Sequence, residues 1–341
     1  MRKFLFAIVF LLAGLFITLR FAEVQQVWET LTQGDLRFIG LALLLEALWI
    51  TNIAASYKVI YRAMGIDERY ERLILISTAA NFVNVVAPSA GMGGMAVFIS
   101  EAKRGGYSPG RVTAAGILAV LFDYLGFFVL LVTGLFVLFR RNNLSYVEII
   151  ASAVLFCIAS FLAYLIFIGI RSADLLGKVL ARLTHRMNHI TRRVVHREYL
   201  SEHRARLFAQ EMSSALKEIA KRPLYLSQGV LLGLSSKIIL VVILALMFMA
   251  FKVPFSKGTV IAGFSIGYLF WIVSPTPAGI GFVEGGLALA LSTLYVPLGA
   301  AAIITLAFRG ITFWIPLLIG MIAFRILARM DELREKSEIS H

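Results

Sequence analysis

Ser274-Pro275-Thr276-Pro277-Ala278-Gly279-Ile280-Gly281 cuts through an apolar run that extends from Thr259 to Tyr295. A second apolar run, Leu73–Ser100, is cut in the same way by Ala87-Pro88-Ser89-Ala90-Gly91-Met92-Gly93-Gly94. Proline has no amide hydrogen and ends a helix, and glycine lets the chain turn where other residues resist. The medium around these breaks follows from composition. Of 341 residues, 59% are hydrophobic and 16% charged, against roughly 45–50% and about 25% in soluble domains. Too few polar side chains remain to cover a globule in water, which excludes a soluble enzyme, and the same figures exclude a disordered chain. A polytopic membrane protein is left.

Uninterrupted apolar runs long enough to cross about 30 Å of hydrocarbon lie at Phe4–Leu19, Leu36–Tyr57, Val112–Phe139, Val147–Ile170, Leu224–Ala250 and Gly299–Phe324. The first has no small-x-small pattern after it and is expected to be a retained span, not a cleaved signal. If the N-terminus is cytoplasmic and each broken run enters and leaves on one side, 25 of the 33 basic residues face the cytoplasm and 6 face outward. Full crossing by both broken runs would instead put the twelve basic residues of 171–222 outside, against the positive-inside rule. The expected fold is therefore all-α, with six full spans, two re-entrant broken-helix hairpins and both termini cytoplasmic in the cell membrane. The net charge of +13 then meets anionic inner-leaflet headgroups and calls for no nucleic acid. Residues 171–223 read as an amphipathic insert on that surface, with Leu175, Val179, Leu183, Met187, Ile190 and Val194 on one face.

The flanks of the two breaks match. Leu36 lies 52 residues before Pro88 and Leu224 lies 53 before Pro277; Asp123 follows Pro88 by 35 residues and Arg309 follows Pro277 by 32. Two copies of span, span, broken hairpin, span are expected, residues 1–139 and 147–325, of opposite orientation, followed by a charged tail at 326–341. Inverted repeats with broken helices at matching places point to a substrate site near the membrane midplane.

Unpaired backbone groups in hydrocarbon cost several kcal/mol each, so each break must face protein, water or ligand. A helix restarting after each break, near Met95 and Phe282, aims its first amides toward mid-membrane and favours an anion such as phosphate. Candidate headgroup contacts are Asn81, Pro88, Gly91, Gly93, Gly94, Pro277, Gly279 and Gly281. Ionisable residues within apolar runs are expensive and default to function: Glu46, Asp123, Lys237, Glu284 and Arg309, with Glu101 near a hairpin end. Asp123 and Arg309 are expected across the pseudo-two-fold axis, as exchanging partners or as a static pair that holds the bundle. Lys237 either takes part or snorkels.

The pattern Asn81…Pro88…Gly91-x-Gly93-Gly94, then Pro275-x-Pro277-x-Gly279-x-Gly281-x-x-Glu284, then Phe308-Arg309…Trp314-x-Pro316…Gly320 resembles the lysylphosphatidylglycerol synthase transmembrane-region family over about residues 1–325. This is the flippase-like membrane half of the bacterial multiple peptide resistance factor, found also as stand-alone proteins. The resemblance implies translocation of an aminoacylated or otherwise modified phospholipid, or of a hopanoid or polyprenyl-linked lipid, between leaflets. It extends the family's motif to Pro277, Gly279, Gly281, Glu284, Arg309, Asn81, Pro88 and Gly93. The 16 residues after Arg325 leave no room for the aminoacyltransferase domain of the full-length factor, so a separate lipid-modifying enzyme is an expected partner.

Two other classes fit the residues less well. An intramembrane hydrolase needs a buried base or two carboxylates sharing a site. All five histidines lie outside the spans, and Asp123 is the sole deep aspartate, though Glu46 or Glu284 could substitute. Asp67-Glu68-x-x-Glu71, interleaved with Arg69 and Arg72, reads as a solvated turn. A non-transporting scaffold for lipid or envelope synthesis gives buried charges and paired breaks little reason to exist. The expectation is a non-enzymatic transporter without cofactor or metal, an intramembrane transferase being the enzymatic alternative.

Overall fold

A computed structural model describes residues 21–86, 92–191, 202–274, 276 and 279–339. Within them the chain is helical, with no strand. The elements are α1 (Phe21–Gln33), α2 (Leu36–Ala63), α3 (Tyr70–Val86), α4 (Met92–Arg104), α5 (Pro109–Arg140), α6 (Tyr146–Arg171), α7 (Ala173–Thr191), α8 (Glu202–Ala220), α9 (Pro223–Ala250), α10 (Lys257–Val273), α11 (Phe282–Thr293), α12 (Leu298–Arg309), a π-helical turn at Gly310–Trp314, and α13 (Ile315–Ile339). Ends follow local chemistry: Asp35, Ser108 and Ser256 cap α2, α5 and α10 with side-chain oxygens, and Ser145 with Glu148 forms a capping box on α6.

Among the described residues, five helical segments are long and apolar enough to cross a membrane: α2, α5, α6, α9 and Leu298–Met330. They correspond to five of the six expected spans; the sixth, Phe4–Leu19, lies outside the described residues. Phe156, Phe161 and Phe167 on α6 are exposed, an apolar surface that lipid tolerates and water does not. Cys157 shares that exposure.

The broken runs become two antiparallel hairpins of short helices. In the second, Gly263 faces Leu291 and Gly267 faces Leu287, with Phe270 against Phe282 nearer the tip. In the first, Arg72 at the start of α3 meets Glu101 at the end of α4, 3.0 Å apart. At 17 residues or fewer, no member reaches the roughly 20 residues of a full span. Helix α5 sets their relative direction. Near its start, Arg111 reaches the Met64 carbonyl and Tyr107 the Asp67 carbonyl, beside the mouth of the first hairpin. Beyond its end, Arg141 reaches Ser256, and Asn143 reaches the Thr293 carbonyl, at the mouth of the second. The two hairpins thus open at opposite ends of a helix about 48 Å long.

Helices α2, α5 and α9 make the centre of the bundle. Trp49 donates to Ser236 Oγ (2.9 Å), and Asn52 bonds the Leu232 carbonyl and Ser235, polar contacts that fix helix register where solvent exclusion gives no drive. The α5–α9 crossing is closer still. A Cβ on Gly126 would overlap the Gly233 backbone, and one on Gly233 would overlap the Phe122 carbonyl. Gly233→Val should therefore destabilise the protein by at least about 1–3 kcal/mol, the cost of overpacking a filled contact. Thermal unfolding in detergent reads this, and an unchanged melting temperature would show that the crossing is loose.

Two expectations need correction. The 171–223 insert is not one helix lying on lipid. Its described residues form α7 and α8, and α8 docks on the bundle through Glu211 to the Gly110 amide (2.9 Å) and Ser213 to the Gly169 carbonyl (2.6 Å). Leu176 is buried whereas Leu175 is exposed, so the apolar face is shifted by one residue; Leu183, Met187, Ile190 and Val194 lie among side chains outside the description. Nor is the Asp67–Glu71 turn simply solvated. Glu68 is buried beside Arg72, Asp67 pairs with Lys58, and Arg72 continues to Glu101, which also pairs with Arg104. Alternating charges offset one another in a chain that charge counting treated as surface.

Candidate functional site

Asp123 and Lys237 sit near the middles of α5 and α9, and Tyr268 stands on α10 toward the tip of the second hairpin. Lys237 Nζ lies 2.5 Å from Asp123 Oδ1, and it donates to the Tyr268 hydroxyl, also at 2.5 Å. That hydroxyl donates in turn to Asp123 Oδ2 at 2.8 Å. Gly126, Gly229 and Gly233 bring α5 and α9 close enough for the pair to form. The partners differ in access: the lysine side chain is 2% exposed and the aspartate 33%. Lys237 therefore does not snorkel; its ammonium is fixed behind a carboxylate that looks outward.

The second pair begins at the same hairpin tip. Glu284 Oε2 accepts the Gly281 amide at 2.6 Å, and its Oε1 accepts Arg309 Nε at 2.6 Å. The Arg309 guanidinium also lies 4.2 Å from the Phe313 ring centre. Access repeats the first pattern, 7% for arginine and 20% for glutamate. Gly279 and Gly281 take the left-handed backbone (φ +73° and +78°) that glycine adopts without strain. Arg309 is followed at once by the π turn, a rare geometry that clusters at functional sites. Tyr268 stacks toward Trp271 (5.2 Å between centres), and a Cβ on Gly279 would stand 3.0 Å from Trp271. The two charge pairs are thus joined through the hairpin tip into one constellation.

The expected Asp123–Arg309 pair is not formed, since each residue has a partner from another helix. Asp123 pairs with Lys237 and Arg309 with Glu284, because register along a chain does not fix which helix faces meet. At each restarting helix, one amide expected to await an anion is engaged within the chain. Gly94 N–H donates to Asn84 Oδ1 at 2.6 Å, as Gly281 N–H does to Glu284. An unmet amide in low dielectric is costly enough that the chain supplies its own acceptor. Gly94 serves packing, since a Cβ there would strike Asn84 and the Ala80 carbonyl, whereas nothing lies within 4 Å of the Cβ position of Gly281. Asn81 is half-buried on α3, Gly93 lies in the first turn of α4, and Pro88, Gly91 and Pro277 fall outside the described residues. Asn84 and Tyr268 carried no sequence signal beyond being polar atoms in apolar helices.

Glu46 stands apart from both pairs. It is 1% exposed on α2, and neither carboxyl oxygen has a hydrogen-bond partner among the described residues; the same holds for Thr305 Oγ1 on α12. Leaving a buried polar group unmet costs about 1–3 kcal/mol. Glu46→Leu should accordingly raise the melting temperature, by roughly 2–4 °C for each kcal/mol recovered. A lower melting temperature would show that the carboxyl is bonded in the membrane. No cluster of three His, Cys, Asp or Glu side chains suited to a metal occurs among the described residues.

These features define a polytopic helical membrane protein with two ion pairs within its helical bundle. The profile of the family described as Lysylphosphatidylglycerol synthase TM region matches residues 4–320, and the chain belongs to that family. It is 24% identical over 334 residues to a UPF0104 membrane protein of Methanocaldococcus jannaschii, covering 94% of this chain and 95% of that one. It is also 24% identical over 308 residues to a UPF0104 membrane protein of Methanothermobacter thermautotrophicus, covering 87% and 88%.

Proposed function

We propose that this chain is a lipid translocase. In this reading it moves a phosphate-bearing or modified phospholipid between leaflets of the cell membrane, past the Asp123–Lys237–Tyr268 and Glu284–Arg309 pairs. One observation carries it: two buried cations, each held by a carboxylate that is itself partly open, joined at the tip of one hairpin. Buried charges of this kind are retained where a substrate must meet charge inside the membrane. A headgroup phosphate can replace either carboxylate as partner of Lys237 or Arg309. Because the acids are the more exposed members, a headgroup that also bears an ammonium fits better, offering each half of the pair a counter-charge.

The opposed mouths of the hairpins support two inverted halves, residues 1–139 and 147–325, each with a re-entrant hairpin. Such halves can rock about a fixed central site. Cytoplasmic termini and an inward-facing arginine-rich end follow from the charge asymmetry. The chain acts as a transporter, and a separate enzyme modifies the lipid.

The test is leaflet exchange in reconstituted vesicles, with amine-bearing phospholipid, phosphatidylglycerol and neutral diacylglycerol compared. The expected order is fastest exchange for the amine-bearing lipid and none above background for diacylglycerol. Equal rates for all three would mean unselective leakage, no exchange of any would mean a scaffold, and chemically altered lipid would mean an intramembrane transferase.

A further inference from the structure

A cleft of about 510 Å³ opens beyond the C-terminal end of α5, between the 251–256 and 294–297 connections. At one side stands Arg141, whose Nη2 donates to Ser256 Oγ (2.8 Å) and Nη1 to Thr259 Oγ1 (3.1 Å). Both partners are neutral, and no carboxylate lies within 4.0 Å of Arg141 among the described residues. The guanidinium is therefore aimed by two hydroxyls and keeps its full charge and further donors. The remaining wall is apolar, with Phe255 and Leu294. At the rim Tyr295 is 80% exposed; its φ of +71° is the left-handed turn that ends α11, closed by the Val296 amide on the Leu291 carbonyl.

Depth decides what such a cleft can hold. It lies where α5 and α9 end and α10 begins, the level at which hydrocarbon gives way to headgroups. Lys252 stands on the 251–256 connection, Arg140 ends α5 and Lys257 begins α10, which adds positive potential at this end of the bundle. A cation beside an apolar wall at that level matches an amphiphile: phosphate on the guanidinium, in the forked geometry arginine favours, and glycerol and acyl carbons along Phe255 and Leu294.

We propose that this cleft is a docking site for the phosphate of a phospholipid in the leaflet adjoining the C-terminal end of α5, separate from the paired charges at mid-membrane. It requires binding and not transport, so it stands or falls apart from the translocase reading. The test uses the full chain in detergent, with Tyr295→Cys in a Cys157→Ser background, and follows the rate of maleimide attachment at position 295. Short-chain phosphatidylglycerol should slow attachment at low concentration; short-chain diacylglycerol and inorganic phosphate should not. Adding Arg141→Gln should raise the half-protecting concentration by about tenfold or more, the worth of one charge-assisted hydrogen bond. Arg141→Lys should recover part of the loss. Equal protection by diacylglycerol would leave only an apolar groove, and equal protection by inorganic phosphate would make this a soluble-anion site. Undiminished protection in a folded Arg141→Gln variant would also overturn the proposal. Should Arg141→Gln fail to fold, the three ligands on the Arg141 protein decide the matter alone.

Discussion

Lys237→Met should end lipid exchange in reconstituted vesicles and lower stability by about 3–5 kcal/mol, the cost of removing one partner from a buried ion pair. Lys237 is almost wholly enclosed, and both its polar contacts are to Asp123 and Tyr268. Its loss strands a carboxylate at mid-membrane with only a tyrosine hydroxyl to bond. A structural role and a substrate role separate in the double variant. Asp123→Asn added to Lys237→Met removes the stranded charge and should restore most of the lost stability, because a buried pair replaced on both sides is often close to neutral. Exchange should stay absent. If exchange returns together with stability, the pair merely holds α5 against α9.

Arg309→Ala tests the second charge pair. Read from the chain alone, Arg309 is expected across from Asp123. In the structure it bonds Glu284, which also caps the Gly281 amide at the start of α11. Removing it takes the cation from a partly buried carboxylate and loosens the hairpin tip. The expected result is a loss of about 3–5 kcal/mol by thermal unfolding, with exchange abolished. Arg309→Lys keeps the charge but not the planar guanidinium, and should retain stability better than exchange. Full exchange by folded Arg309→Ala would remove this pair from the mechanism.

The fold was legible in the sequence because its signals are local and strong. Runs such as Leu224–Ala250 are set by the length of hydrocarbon they must cross, and proline and glycine mark breaks whatever surrounds them. Element boundaries therefore fell within three residues of α5, α6 and α9, α2 began at Leu36 but ran six residues beyond Tyr57, and α11 began at Phe282 as expected. The site was legible only as a set of ionisable positions. Asp123, Lys237, Glu284 and Arg309 were identifiable because charge within an apolar run is costly. Their pairing was not identifiable, because it depends on which helix faces meet. Asn84 shows the same limit, since a polar residue on α3 gives no sign that it will cap the next helix.

What the sequence determined by itself is the medium, the helical class and the places where helices break, since each follows from the free energy of one segment in oil or water. What the tertiary structure decided is partnership: Asp123 with Lys237, Glu284 with Arg309, Arg141 with two hydroxyls, and Glu46 with no hydrogen-bond partner among the described residues. The first of these depends on glycines 126 and 233 letting α5 and α9 approach. Contacts between segments far apart in the chain exist only once the bundle has packed.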